Sequence, residues 1–528
     1  MKIVRYVVVA TILIIVLAVV SIAVAKRYQV SPNDSPTALL IPQPPSPPTS
    51  IIPQYTQLQE AILQDTIAIK LINSSFLHNA HRNYYGNTAP SRLDIIWKHY
   101  LGAGKTQLGT EQVIWKGAGW TGQPLLVAEG NKKYIIQGAY DHHLKKIDAQ
   151  TGKLIWQYKF DDVIKGTGSI WLNPAATDLE NSCIILQGSR AGKSIYSSYV
   201  PSYRAISYFT GKELWRMNSS KTDCYSRDVD ASCLLLNDTA YLGLENGIFT
   251  IFDPNPVHAD TQQEMLQPHI YKNTDTLYRA SDKLLHRGNL VTEASPTLLG
   301  NRIYIASGSG HVWGYNLQTR QMDWDYFVGS DIDGTPVVTA DGCLLISIEK
   351  QYIKGNGGIL KLNPRKAPSK ALEWFFPTGS VNFSTWQGGV VGSAATNAFY
   401  PVRGVPDMAV FTAIDGFLYV VATTEQDTNL AVLFDDTTLV PTPHLLFKYR
   451  TGPAIATPLL VDDKIIVPTY SGTYLFEYNN QLQFKLLQKI NIRAESTPFV
   501  DDGRIYLPSR NGYLYCLGDT SSSLPPIQ

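Results

Sequence analysis

The chain has 528 residues, of which 17% are charged, and 45 Lys and Arg offset 44 Asp and Glu for a formal net charge of +1. Such a balance leaves no basic stripe and excludes electrostatic capture of nucleic acid as its function. Tyr is frequent (30) and Met scarce (5), a usage that suits pleated sheet faces.

From Tyr6 to Ala25 the chain carries no charge, a run long enough for a helix to cross a hydrocarbon layer of about 30 Å. Lys2 and Arg5 precede it, and Lys26 and Arg27 follow. Two readings of residues 1–27 are open. The apolar length favours an uncleaved membrane anchor, and Ala23-Val24-Ala25 offers a signal-peptide cleavage site. Either sends the remainder out of the cytoplasm, so the expected location is a single-pass N-terminal anchor with the folded part on the periplasmic or extracellular side. The first cysteine is Cys183, so no thiol stands where a lipoprotein would need one.

Residues 28–54 are dense in Pro and Ser and read as an extended, semi-rigid spacer. Over 55–74, Leu58, Ala61, Ile62, Ile69 and Ile72 stand at partly helical spacing, which predicts a short amphipathic helix. Five cysteines stand at 183, 224, 233, 343 and 516, and their odd number and scattered spacing argue against a disulfide framework. A Cys224–Cys233 bridge and free buried thiols are both open.

Beyond this point a short phrase recurs, a small residue, then Ser or Thr, then Pro. It reads Ala294-Ser295-Pro296, Gly334-Thr335-Pro336, Ala456-Thr457-Pro458 and Glu495-Ser496-Thr497-Pro498. Several short strands in each period of roughly 40–50 residues mark a β-propeller. Innermost strands are expected to start at Pro124, near Ala175, and at Ser232, Pro296, Pro336, Ser393, Pro458 and Pro498. That gives eight blades of four antiparallel strands over 75–518, or seven, because the second and sixth repeats are irregular.

Thr151-Gly152-Lys153 leads to Trp156, Thr210-Gly211-Lys212 to Trp215, and a weaker copy runs from Thr319 to Trp324. The Gly turns into the outer strand, and the three Trp side chains are expected to fill the space between blades. The last repeat ends near Gly518 after a third strand. Ile95 to Tyr100, with Trp97 at its centre, is expected to supply the missing fourth and close the ring. Residues 519–528 read as a disordered tail.

Phe76 to Gly86 (FLHNAHRNYYG), followed by Trp97-Lys98, resembles the opening of PQQ-like (quinoprotein-like) β-propeller repeat proteins, and the Ser/Thr-Pro and T-G-K-x-x-W phrases resemble that family's repeat. The resemblance implies the fold over about 75–518. The family includes alcohol and sugar dehydrogenases as well as non-catalytic scaffolds. It also implies, for the dehydrogenases, a vicinal Cys-Cys disulfide, a Trp beneath the cofactor, and Asp, Glu and Asn around Ca²⁺. This chain has no adjacent cysteines.

Candidate ligand residues are Asp331 and Asp333 in GSDIDGTP, with Asp228 and Asp230 in SRDVDAS at the equivalent place. Paired carboxylates suit a hard cation. Asp ahead of a strand also caps the turn, and its recurrence in the repeat favours that role. Trp386 and Gln387, beside Gly388-Gly389, lie where the repeat rhythm breaks, and read as a ligand platform or as an aromatic plug. Asp141-His142 is expected in a turn, and His78-x-x-His81 lacks a second His or Cys cluster. The Tyr-rich stretch 194–205 is a loop candidate for glycan or protein contact. No hydrolase, metalloprotease, P-loop or EF-hand motif occurs.

The sequence therefore points to no catalytic residue, no metal set and no cofactor. Its leading reading is a membrane-anchored extracytoplasmic propeller that binds or scaffolds an envelope protein. The alternative is a quinoprotein alcohol or sugar dehydrogenase with a divergent site, which would take PQQ and Ca²⁺.

Overall fold

Short β-rich runs separated by turns pair into eight antiparallel blades in the computed structural model, which describes residues 60–63, 67–193, 195–262 and 264–520. The apolar stretch 6–25, the spacer 28–54, the start of 55–74 and residues 521–528 lie outside the described residues. Among the described residues no helix is long and apolar enough to cross a membrane. The innermost strands of blades 1 to 8 are Leu125–Glu129, Ser169–Leu172, Leu234–Leu236, Thr297–Leu299, Val337–Val338, Ala395–Thr396, Leu459–Val461 and Phe499–Asp501. Blade 2 starts at Ser169 rather than near Ala175. Its entry phrase is Gly166-Thr167-Gly168, without Pro, and Ala175 instead follows the strand, its N–H bound to the Asn173 side chain at 3.0 Å.

Blade 8 takes three strands from the end of the propeller sequence and the fourth, Asp94–Tyr100, from its beginning. Trp97 stands opposite Cys516 in that ladder. The ring therefore closes with eight blades, not seven, and the closing joint is the ladder between Asp94–Tyr100 and Tyr513–Gly518.

The helix expected over 55–74 is a correction. Glu60–Leu63 and Ile67–Asn73 are antiparallel strands, and the second adds to the inner edge of blade 1. Ile67, Ile69 and Leu71 alternate with Ala68 and Lys70, and Ile69 and Leu71 are buried. Period-2 alternation of β-branched residues outweighs the looser helical spacing.

The recurring Ser or Thr has a direct structural use. Backbone N–H groups donate to the hydroxyl of the next blade, Gln123 to Thr167 (2.7 Å), Ser232 to Ser295 (3.0 Å), Ser295 to Thr335 (3.0 Å), Thr335 to Ser393 (2.9 Å), Ser393 to Thr457 (3.0 Å) and Thr457 to Thr497 (3.4 Å). The Ser232 hydroxyl donates to Thr167 O (2.7 Å), and the Gln123 amide donates to Pro498 O (2.8 Å), which completes the circle. These buried donors have no route to water, so each needs the hydroxyl its neighbour supplies.

Outer-strand tryptophans join the blades at the rim. Trp97, Trp156, Trp215 and Trp324 donate their indole N–H to Ala149, Tyr208, Pro254 and Lys366 carbonyls of the following blade at 3.0–3.1 Å. Trp374 does the same to Thr423 at 2.9 Å. The Thr-Gly turns receive these rings, since a β-carbon on Gly152 would lie 2.7 Å from the Trp97 ring and one on Gly211 3.0 Å from Trp156.

Along the axis runs the segment from Ser74 to Ala89. It accepts N–H groups from Ile170 at Ser74 O (2.8 Å), Leu298 at Ala80 O (2.8 Å), Val338 at His81 O (3.0 Å) and Val500 at Tyr85 O (3.3 Å). Its own N–H groups reach Ser232, Tyr400 and Asp462. One segment thus ties the inner edges of blades around the ring and fills the channel below the hydroxyl circle. Arg82, 1% exposed, donates to Pro296 O, Ser75 Oγ and Phe76 O. All five cysteines are buried and free, so Cys224 and Cys233 are not bridged.

Candidate functional site at the channel mouth

Antiparallel order puts the loop entering each innermost strand and the turn between the second and third strands on the same face. Side chains two residues ahead of the hydroxyl circle share its side of the strand and point to the axis. Those positions hold Lys165, Asp230, Glu293 and Asp333 in blades 2 to 5, then Val391, Ile455 and Glu495 in blades 6 to 8. The mouth is therefore charged in blades 2 to 5 and apolar in blades 6 and 7, and Glu495 of blade 8 accepts from Arg510 at 2.6 Å.

On the charged side, Lys165 Nζ lies 2.5 Å from Asp230, 3.8 Å from Glu245 and 3.9 Å from Glu293. Glu245 also accepts from Ser226 Oγ (2.6 Å), and Glu293 from the Trp120 indole (2.7 Å). Asp228 binds Arg190 Nε and Ala191 N–H, both at 2.8 Å. Further round, Asp331 accepts from Asn289 (2.5 Å), and Asp333 and Glu349 lie close enough to Asp331 to feel its charge. Burial raises Asp230 and Asp331 to about 7, against the pull of Lys165 and Asn289 respectively. Burial and neighbouring carboxylates push Asp333 well above the carboxylate range. Burial and Asp331 do the same to Glu349. For Lys165 burial opposes the charge, but Asp230, Glu245 and Glu293 together hold it well above the ordinary lysine value.

The turn-capping role expected of the D-x-D aspartates is thus corrected for Asp230 and Asp333, whose carboxylates face other titrating side chains across the mouth. Asp228 does bind a backbone N–H. On the apolar side, Trp120, Val391, Ile414 and Ile455 are buried together, with Phe383, Trp386 and Tyr470 packed on them. Trp386 sits in a tight hairpin with Phe383 and is part of this plug, while Gln387 is exposed. A β-carbon on Gly389 would lie 2.4 Å from Ile348 O, which explains the glycine there. Two cavities flank the plug. One of about 660 Å³ is lined by Trp115, Lys165, Arg190, Asp228, Glu245 and Glu293, and one of about 700 Å³ by Phe383, Tyr470, Arg493, Glu495 and Arg510.

Among the other sequence candidates, Asp141 and His142 form the turn between the second and third strands of blade 1. Of the Tyr-rich stretch, Tyr203 is buried against Trp215 and Phe252, and Tyr196 is exposed with Lys221 over its ring. Lys165, Glu245, Glu293 and Trp120 were not singled out from the sequence. The signal that finds Lys165 and Glu293 is their fixed place two residues ahead of the circle residue.

The fold and this mouth define an eight-bladed propeller whose inner strands bind the segment from Ser74 to Ala89 and whose mouth carries the Trp120 cluster. No family model and no curated protein sequence matches the chain. Among solved structures it is similar to a europium-containing methanol dehydrogenase (12% identity, 84% of this chain and 98% of that one, TM-score 0.51). It is similar to the quinohemoprotein alcohol dehydrogenase of Comamonas testosteroni (12% identity, 87% and 82%, TM-score 0.50). The BamB structure from Moraxella catarrhalis aligns at 14% identity over 81% of this chain and all of that one, TM-score 0.49. In fold the chain is a PQQ-like β-propeller.

A tricarboxylate quinone placed at the mouth would compete with Asp230 for the Lys165 ammonium and with the Trp120 cluster for space.

Proposed function

We propose that the protein is a non-catalytic scaffold of the cell envelope, tethered to the membrane by residues 6–25 and binding a protein partner through its propeller. The observation that carries this reading is the mouth itself, filled by Trp120, Val391, Ile414 and Ile455 and ringed by carboxylates. A second support is the long hairpin of blade 6, Phe417–Val432 and Leu439–Arg450. It buries Leu433, Phe434 and Val440 against blades 4 and 5 while Leu430 (57%), Val432 (44%) and Leu439 (59%) face outward. Clustered aliphatics of this kind are surface that a partner covers.

The second reading is a quinoprotein alcohol or sugar dehydrogenase with a divergent site, as in the solved dehydrogenases of like fold. It draws on buried oxygens of Asn289, Asp331 and Glu349 that hold no hydrogen bond, donors suited to Ca²⁺. Titration of the purified full-length protein with PQQ and Ca²⁺ decides between them. The scaffold reading expects no stoichiometric chromophore, no dye-linked alcohol or sugar oxidation, and an envelope protein cross-linked in cells that is lost in Leu430→Asp/Leu439→Asp. A bound quinone with turnover overturns it.

A further inference from the structure

We propose that the rim formed by the outer strands of blades 8 and 1 docks on an anionic lipid surface. A β-bulge stands just before Trp97, Trp156, Trp215, Trp324 and Trp374, and leaves the preceding residue out of the ladder. Blades 2, 4 and 5 place an acid at that residue or the one before it, and each acid is paired. Glu213 meets Arg216, Asp323 meets Arg302 at 2.7 Å, and Glu373 meets Lys366 at 2.7 Å. Blades 8 and 1 place two aliphatic residues there instead. All four are exposed, Ile95 by 53%, Ile96 by 38%, Leu154 by 42% and Ile155 by 51%.

The two strands adjoin. Trp97 donates its indole N–H to Ala149 O at 3.1 Å, and His99 Nδ1 lies 2.8 Å from Gly152 O, two residues ahead of Leu154. The four side chains are therefore clustered on neighbouring strands, and clustered exposed aliphatics mark a surface that something covers. The charge beside them says what. Lys98, Lys153 and Lys159 are exposed on or next to these strands, and the one acid within the strands, Asp94, is paired with Arg92 at 2.9 Å. Lysine is depleted where proteins meet proteins. Aliphatic side chains flanked by lysine, with Tyr100 exposed at the end of the blade 8 strand, match a surface that enters the headgroup layer of anionic lipid. Docking by the rim lays the propeller axis along the membrane plane and keeps both faces of the disc uncovered. Lipid contact here and partner binding by the blade 6 hairpin are separate properties, and either can fail while the other stands.

All five native cysteines are buried, so one introduced surface thiol can be labelled selectively. Full-length Ile96→Cys, Ile155→Cys and Gln321→Cys would each carry an environment-sensitive fluorophore in vesicles of phosphatidylethanolamine and phosphatidylglycerol. Gln321 is the control, exposed on the outer strand of blade 4 across the ring from blade 8. Emission should shift to the blue and be quenched by brominated lipid at 96 and 155, and do neither at 321. The shift should shrink at high salt, in phosphatidylcholine vesicles and in Lys98→Glu/Lys153→Glu/Lys159→Glu. Labels at 96 and 155 that stay as aqueous as the one at 321 overturn the proposal, and so does a shift indifferent to salt and headgroup charge. A shift that appears only on adding solubilised envelope protein marks a protein interface and overturns it equally.

Discussion

Asp331 and His78 are buried titrating groups, and they pull stability in opposite directions with pH. Burial raises Asp331 from 3.8 to about 7, so the folded protein keeps a proton that the unfolded chain has released. Stability from this group is full below about 4 and is lost as pH rises towards 7. His78 is driven the other way, first by burial and then by Arg82, from 6.5 to about 4. Here the unfolded chain takes the proton first, so stability is lost as pH falls from 6.5 to about 4. Thermal melting across that range should show Asp331→Asn with a flatter decline on the neutral side and His78→Gln with a flatter decline on the acid side. Variants that track wild type in parallel would mean that neither group is titrating as its surroundings dictate. At this scale the sequence was partly legible. Asp331 and Asp333 stood out as paired carboxylates, but their neighbours Glu349 and Asn289 come from a different turn and a different loop. Their meeting depends on how blades 4 and 5 pack side by side, which no local spacing encodes.

Among elements, the Thr-Gly turn and the outer-strand Trp were legible as separate signals, and their partnership was not. Gly211 takes φ +70° in blade 2, and it also gives way to Trp156 of blade 1. Which blade's indole rests on which blade's glycine follows from the neighbour relation round the ring, not from either repeat. Gly211→Ala should therefore cost more than its backbone strain. Gly130 is the control, because it sits at φ +56° and a β-carbon there would meet nothing within 4 Å. Gly130→Ala should cost roughly 1 kcal/mol from positive φ alone, and Gly211→Ala about 1–3 kcal/mol more from displacing the indole. Denaturant unfolding measures both, and equal losses would rule out the packing role. The strands at 60–63 and 67–73 show the opposite failure, where a local helical spacing existed but the inner edge of blade 1 recruited the segment as sheet.

At the scale of the whole molecule, the hydroxyl circle converts a sequence phrase into a closed chain of dependence. Ser393 is both acceptor for Thr335 N–H (2.9 Å) and donor through its own N–H to Thr457 (3.0 Å). Thr335, Ser393 and Thr457 are all buried, so water cannot replace a missing partner. Ser393→Ala leaves the Thr335 N–H unpaired and should cost about 1–3 kcal/mol. Thr457→Val strands the Ser393 N–H in the same way. If the links polarise one another, the two losses will not simply add, because Ser393 passes the effect from one link to the next. A double-mutant cycle read by denaturant unfolding should show a coupling above about 0.5 kcal/mol for Ser393→Ala with Thr457→Val. It should show none for Ser393→Ala with Gly130→Ala, which lies in another blade and outside the circle. Additive behaviour of the first pair would mean that the links act singly and that closure rests on the axial segment and the Asp94–Tyr100 ladder instead.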